Sequence, residues 1–332
     1  MGNLSALLRS ADERVQCADP YERCDDLYVV AVHFDASGYT SRRRNLSEFV
    51  DTLDRAGLAF VVVECAIGAQ AWHLPSARHF TRIRAADALW HKERLINLAI
   101  RDIPDRFRKI AWLDADVLFS RGDWARLVSA ALERHTVVQC FENAYALQPG
   151  ERSVEPALDP IESFGSVVER SPDVHREGVY ESHGHTGFAW AARREFLENV
   201  GLYEACVLGS ADHMMAHAIC GDVSSACIDR QFGLNAAHRR HFARWATQAY
   251  RCVRGRVGAV EGELLHLWHG SESNRGYVTR AQRLAALRFD PECDLVESDS
   301  GCLGFAPGRA DLRELAASYF AGRREDTLEV GP

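Results

Sequence analysis

Leu27 to Phe34 reads Leu-Tyr-Val-Val-Ala-Val-His-Phe, an almost unbroken apolar run. A run this short and this rich in valine predicts a strand buried on both faces. A loop carrying Gly38 follows. Leu46, Phe49, Val50 and Leu53 then recur at helical spacing and predict an amphipathic helix that Gly57 closes. Ala59 to Val63 is a second apolar, β-branched run. Strand, helix and strand in so few residues form a βαβ unit, which requires a parallel sheet with right-handed crossovers.

The same grammar continues downstream. A helix is predicted over Ala86 to Ile100, before Pro104, and a buried strand over Ile110 to Leu113. Asp123 is placed to cap a helix in which Trp124, Leu127, Val128, Ala131 and Leu132 share a face. Thr136 to Phe141 reads as a further strand. Residues 145–180 lose periodicity and predict a long irregular segment. Order returns with a strand over Gly187 to Ala192, a helix from Arg194 to Val200 closed by Gly201, and another helix near Asp212. The expected fold class is therefore α/β: a Rossmann-like, mostly parallel central sheet flanked by helices, with a C-terminal helical extension. Residues 1–26 read as an arm or frayed helix, 27–275 as the main domain and 276–332 as the extension.

Composition narrows the function. With 332 residues the chain can bury a sizeable core without disulfides or structural metals. A formal net charge of -8 argues against a general nucleic-acid binder, although Arg42-Arg43-Arg44 forms a local basic patch. A bound phosphate would then need a metal or a local cluster of cations. Ten cysteines without a CxxC pair fit a reducing compartment better than a disulfide scaffold. No run approaches the roughly 18 apolar residues of a membrane span, and no apolar signal core opens the chain. A cytoplasmic location is expected.

The chemistry centres on Asp114-Ala115-Asp116, directly after the apolar run Ile110-Ala111-Trp112-Leu113. Alternation along a strand would put both carboxylates on one side at its carboxyl end, where open α/β sheets bind ligands. Two hard oxygen ligands there suit Mg²⁺ or Mn²⁺ held together with substrate phosphates. The plainer alternative is one acid capping the strand and the other solvated. Two acids at the end of so apolar a strand favour a metal or an ion pair.

Two stretches carry a likeness to a known family. Trp90-His91-Lys92-Glu93-Arg94-Leu95-Ile96-Asn97-Leu98-Ala99-Ile100 followed by Ile110 to Phe119 resembles the donor half of GT-A glycosyltransferases. Gly187 to Arg194, then Gly201-Leu202-Tyr203 and Gly209-Ser210-Ala211-Asp212, resembles their acceptor half. The order matches over residues 27–275, and the likeness is to bacterial and phage proteins of the family-2-like and galactosyltransferase-like kinds. It divides the main domain into a nucleotide-sugar donor half (27–143) and an acceptor half (144–275).

The resemblance implies roles. Asp116 would bind Mn²⁺ or Mg²⁺ directly, and Asp114 would reach the donor ribose or a metal-bound water. Lys92 would meet the donor, and Glu64, at the end of the second apolar run, would read its nucleobase or ribose. Asp212 would be the general base; read alone it is also an ordinary helix N-cap. Many relatives carry Glu-Asp where this chain has Ala211-Asp212. His269 would be a further metal ligand, with His266 as the alternative, and Arg275 a phosphate contact. The donor would be a nucleotide-diphosphate sugar, UDP-linked by preference. The acceptor would be a glycan, a lipid-linked glycan or, with phage-type relatives, a modified nucleobase.

Other features have plainer readings. His213 and His217 have zinc-binding spacing on a helix, but the HExxH glutamate is absent. His183 and His185 flank Gly184 and read as acceptor-site or loop residues. Trp190 reads equally as a sugar platform or as core. A nucleotidyltransferase would show a glycine-rich basic loop after the first strand, and His33 to Arg44 has only Gly38. A non-catalytic binding protein would have little reason to keep Asp114, Asp116, Asp212 and His269 together.

Overall fold

A computed structural model of the chain describes residues 15–16, 22–154 and 159–327. The expected N-terminal arm lies mostly outside them; within it, Val15–Gln16 pairs antiparallel with Ser153–Val154.

The βαβ unit forms as the periodicity requires. It comprises β1 (Leu27–Phe34), α1 (Thr40–Arg55) and β2 (Ala59–Ile67). The remaining strands of the main sheet are β3 (Phe80–Ala85), β4 (Lys109–Leu113), β6 (Val137–Gln139), β9 (Ala189–Arg193) and β10 (Val257–Ala259). The sheet order is β10-β6-β9-β4-β1-β2-β3. All pairs are parallel except those of β9, which runs antiparallel to β4 and β6. A smaller sheet of β5 (Val117–Phe119), β7 (Asn143–Ala146), β8 (Ile161–Glu162) and β11 (Glu263–His266) has the order β8-β7-β11-β5. The mostly parallel α/β fold expected from the sequence is the fold observed.

Both faces of the main sheet are covered, which explains the unbroken apolar runs. Val30, Ile110 and Trp112 join a core with α2 (Lys92–Ile100), α5 (Arg194–Asn199) and α6 (Ala211–Ile219). Their neighbours Val29, Ala31, Ala111 and Leu113 point the other way, into a core with α1 and α3 (Trp124–Ala131). A third core joins Phe34, Val63 and Leu95 to Leu284, Phe289, Leu312, Leu315 and Phe320. The C-terminal segment thus docks on the carboxyl ends of the strands through α8 (Tyr277–Ala286) and α9 (Ala310–Gly322).

Several local expectations are corrected. The helix expected from Ala86 starts only at Lys92. Asp123 stands at the N-cap position of α3 but makes no side-chain cap; its carboxylate is engaged by Arg121 and Arg126 instead. The irregular segment 145–180 contains α4 (Phe164–Arg170), capped by Ser163, whose hydroxyl accepts from Ser166 N. Asp114-Ala115-Asp116 is not strand at all. It is the turn between β4 and β5, so strand alternation does not align its two carboxylates.

Candidate functional site

A cavity of about 860 Å³ opens at the carboxyl ends of β1 and β4. That is the position where parallel sheets bind ligands, and the volume suits a small-molecule substrate. The acidic turn forms one corner and is pinned from both sides. Asp114 N donates to Phe188 O (2.8 Å), and Leu267 N donates to Asp116 O (2.8 Å). Phe188 sits at φ 77° and Ser210 at φ 78°, left-handed values that cost non-glycine residues energy. Both line the cavity.

The turn sends its two acids in different directions. Asp114 Oδ1 pairs with Lys92 Nζ at 2.6 Å. Asp116 faces one histidine that ends β11 and one just beyond it: His266 Nε2 lies 3.7 Å from its Oδ1, and His269 Nε2 lies 3.1 Å from its Oδ2. The two imidazole Nε2 atoms are 3.1 Å apart. Asp116 Oδ1 is buried without a hydrogen-bond partner. One carboxylate and two imidazoles whose ligand atoms lie within 4.8 Å of one another form a donor set that fits Mn²⁺. Burial, with His269 and Arg275 nearby, keeps the His266 imidazole neutral, well below its ordinary pKa. Burial also raises the Asp116 pKa, and His269 partly opposes it.

Arginines hold this corner in place. Arg275 Nη2 donates to His269 Nε2 at 3.1 Å. Glu325 Oε2 faces the other ring nitrogen, Nδ1, at 3.6 Å. Burial works against the charge on Glu325, but Arg42, His269 and Arg323 outweigh it and keep it ionised. Arg280 donates to Ser210 Oγ (2.5 Å) and to the Tyr319 hydroxyl (2.6 Å). Arg42, Arg275, Arg280 and Arg323 all line the cavity. Arg280 and Arg323, from the segment after residue 275, thus share the cavity with Arg42 and Arg275.

On the opposite side Lys92 joins two acids. Its ammonium is 2.6 Å from Asp114 and 2.8 Å from Asp212 Oδ2. Burial works against that charge, but Asp114 and Asp212 outweigh it and push the Lys92 pKa well above its usual range. Asp212 Oδ1 is buried with no partner. Burial raises the Asp212 carboxyl above the usual carboxylate range, opposed by Lys92. The helix N-cap is Ser210, so the capping role considered for Asp212 falls away. Glu93, which sequence reasoning passed over, lies beneath them at 1% exposure. Burial first, then the Asp212 charge, lifts its pKa to about 8. The visible signal was the run Lys92-Glu93-Arg94, three charges opening a helix that must pack on a sheet.

Two expected residues lie elsewhere. Glu64 is buried, but it accepts the backbone N–H groups of His73 and Leu74 and faces Arg82 at 3.6 Å. It anchors a loop and does not line the cavity. Trp190 is core, its indole N–H donating to Thr186 O at 2.9 Å, so it is no sugar platform. Asn97 of α2 ties down the 202–204 loop, donating to Leu202 O (2.9 Å) and accepting from Leu202 N (2.8 Å). Among the described residues, no helix is long and apolar enough to cross a membrane.

No protein-family model and no curated protein sequence matches the chain. Among solved structures it is similar to the glucosyl-3-phosphoglycerate synthase of Mycobacterium tuberculosis, in complex with Mn²⁺, UDP and phosphoglyceric acid. The identity is 10% and the TM-score 0.38, over 87% of this chain and 95% of that one. It is also similar to Drosophila β1,4-galactosyltransferase 7, at 12% identity and a TM-score of 0.32; that match spans 57% of this chain and 59% of the other. A third likeness is to a glycosyltransferase involved in glycosylation of the major capsid of PBCV-1, at 12% identity and a TM-score of 0.33, over 75% and 96%. Each is a loose likeness, and the chemistry of the site stands on its own residues.

Proposed function

We propose that this chain is a metal-dependent glycosyltransferase that moves a sugar from a nucleotide-diphosphate sugar to an acceptor hydroxyl. The observation that carries the reading is the convergence on one cavity of Asp116, His266 and His269, a wall of arginines, and Asp212 with a buried, unpartnered oxygen. The GT-A resemblance of the sequence points the same way.

In this reading Asp116, His266 and His269 hold Mn²⁺ or Mg²⁺, and Asp114 reaches toward the donor ribose. The bound metal would supply neutralising charge for the diphosphate leaving group. Arg275 and Arg280 contact the phosphates, where a planar guanidinium makes bidentate hydrogen bonds. Lys92 fixes Asp212 in position rather than binding the donor. Asp212 Oδ1 accepts the proton of the acceptor hydroxyl. The acceptor oxygen then bonds to the anomeric carbon as the bond to the diphosphate breaks, with inversion. A raised pKa makes Asp212 a stronger base than an exposed aspartate. A UDP-sugar is the favoured donor and a glycan or lipid-linked glycan the favoured acceptor, in a cytoplasmic setting.

The test is a panel of nucleotide sugars assayed for nucleotide release with Mn²⁺, with Asp116→Ala alongside. Release from at least one donor that is lost in Asp116→Ala supports the reading. Release unchanged in that variant removes the metal assignment, and failure of every donor to bind removes the function. Duplex DNA binding at two salt concentrations tests the modified-nucleobase acceptor, because phosphate-driven affinity falls steeply with salt.

A further inference from the structure

Behind the acceptor side of the cavity lies a second cluster that the proposed reaction does not use. His183, His213, His217 and Cys227 are all buried, and their ligand atoms lie within 4.8 Å of one another. They come from three separate segments: the loop before β9, two adjacent turns of α6, and the start of α7 (Ala226–Phe232). The sequence offered only the His213/His217 pair at i and i+4. The fold supplies the third imidazole and the thiol.

We infer that these four side chains form a closed zinc site that ties the acceptor wall together. Three imidazoles and a thiolate are a borderline-soft donor set for Zn²⁺, which prefers four ligands in a tetrahedron. Zinc–nitrogen and zinc–sulfur bonds of about 2.0–2.3 Å put ligand atoms about 3.3–3.8 Å apart in that geometry. His217 Nε2 and Cys227 Sγ are already 3.7 Å apart.

The hydrogen bonds around the cluster turn the right atoms inward. His217 Nδ1 bonds Asp222 Oδ2 at 2.7 Å, and His183 Nδ1 bonds Gly184 O at 2.9 Å. Each of these rings keeps its Nε2 for the centre. An outer carboxylate or carbonyl on the far nitrogen is how metal-bound histidines are usually held. Asp222 is itself fixed by Ser224 N (3.0 Å) and Ser225 N (2.9 Å).

Without a metal the cluster is poorly satisfied. His183 Nε2 and both ring nitrogens of His213 are buried and have no hydrogen-bond partner. Buried polar atoms are rarely left so. All four protein ligands are buried, which marks a structural site rather than one that binds substrate. His213 adjoins Asp212, and Gly184 lines the cavity beside His183. A metal here would lock the base-bearing helix to the loop before β9.

The test uses the full chain, produced in zinc-supplemented medium and dialysed free of loose metal. Elemental analysis should find stoichiometric zinc in the wild type and in Asp116→Ala, and a strong loss in Cys227→Ser and His217→Ala. Cobalt(II) replacement should give intense visible bands of tetrahedral cobalt with a thiolate-to-cobalt band, and Cys227→Ser should abolish the latter. Asp222→Asn, which alters only the outer partner, should weaken zinc affinity about 10–100-fold. A wild-type chain without bound zinc overturns the inference, whatever the variants do. So does zinc that survives in both Cys227→Ser and His217→Ala, or zinc that leaves with Asp116→Ala alone. None of these outcomes depends on glycosyl transfer.

Discussion

Replacing Lys92 by methionine removes one charge and strands three. Lys92 is 5% exposed, and its ammonium lies 2.6 and 2.8 Å from Asp114 and Asp212. At an effective dielectric of about 20, each contact is worth about 6 kcal/mol before dehydration is counted. Dehydrating the ions returns several kcal/mol of that. Methionine keeps the packing volume but leaves Asp114, Asp212 and Glu93 in a buried site without their cation. Breaking a buried pair this way costs about 3–5 kcal/mol. With a urea dependence of about 3 kcal/mol/M, the unfolding midpoint should fall by about 1–1.7 M. Tryptophan fluorescence in urea measures it, first above pH 8, where Glu93 is ionised. At about pH 5 the loss should shrink, because Asp212 and Glu93 then take up protons more readily than ordinary carboxylates. A midpoint shift under about 0.3 M above pH 8, or an equal loss at both pH values, would refute the electrostatic account.

Other expectations are more direct. Asp212→Asn should keep donor binding and lose transfer by about 10²–10⁴-fold, and full transfer in that variant would remove Asp212 as the base. His266→Ala and His269→Ala should each raise the Mn²⁺ concentration needed for activity by more than about tenfold, read from Mn²⁺ titrations; a variant with an unchanged requirement is not a ligand. Glu93 binds its proton more tightly folded, near pH 8, than its ordinary value of 4.5. Its contribution to stability is therefore full below pH 4.5 and lost as pH rises through about 8, and Glu93→Gln should flatten that part of the urea midpoint profile.

Much of the fold was legible because the sheet is covered on both faces. Leu27–Val32 and Ile110–Leu113 alternate between two cores, so neither run needs a polar side, and apolar runs of that length have few other uses. Lys92, Asp114, Asp116, Asp212, His266, His269 and Arg275 were legible as residues of interest, and all line one cavity. Their pairings were not. Spacing placed Asp114 beside Asp116, and a turn separates their partners. Glu64 was misleading because the strand runs on to Ile67, and a buried carboxylate within it serves to hold a neighbouring loop. Arg280, Arg323 and Glu325 carried no local signal, since their importance depends on a C-terminal segment returning to the carboxyl ends of the strands. Cys227 was hidden because its three histidine neighbours come from other segments, and it is one thiol among ten.

That returning segment also has a consequence for how the protein is made. Arg42 is synthesised early, and the carboxylate that engages it, Glu325, comes 283 residues later. The βαβ unit can form as it leaves the ribosome, because its contacts are local. The corner around His269 cannot. A nascent chain past residue 266 but short of 325 carries the strands of both sheets and the acidic turn, but Arg42 lacks Glu325 and the far side of His269 has no support. On the proposed function, competence for donor binding should therefore appear late in translation, well after the fold itself.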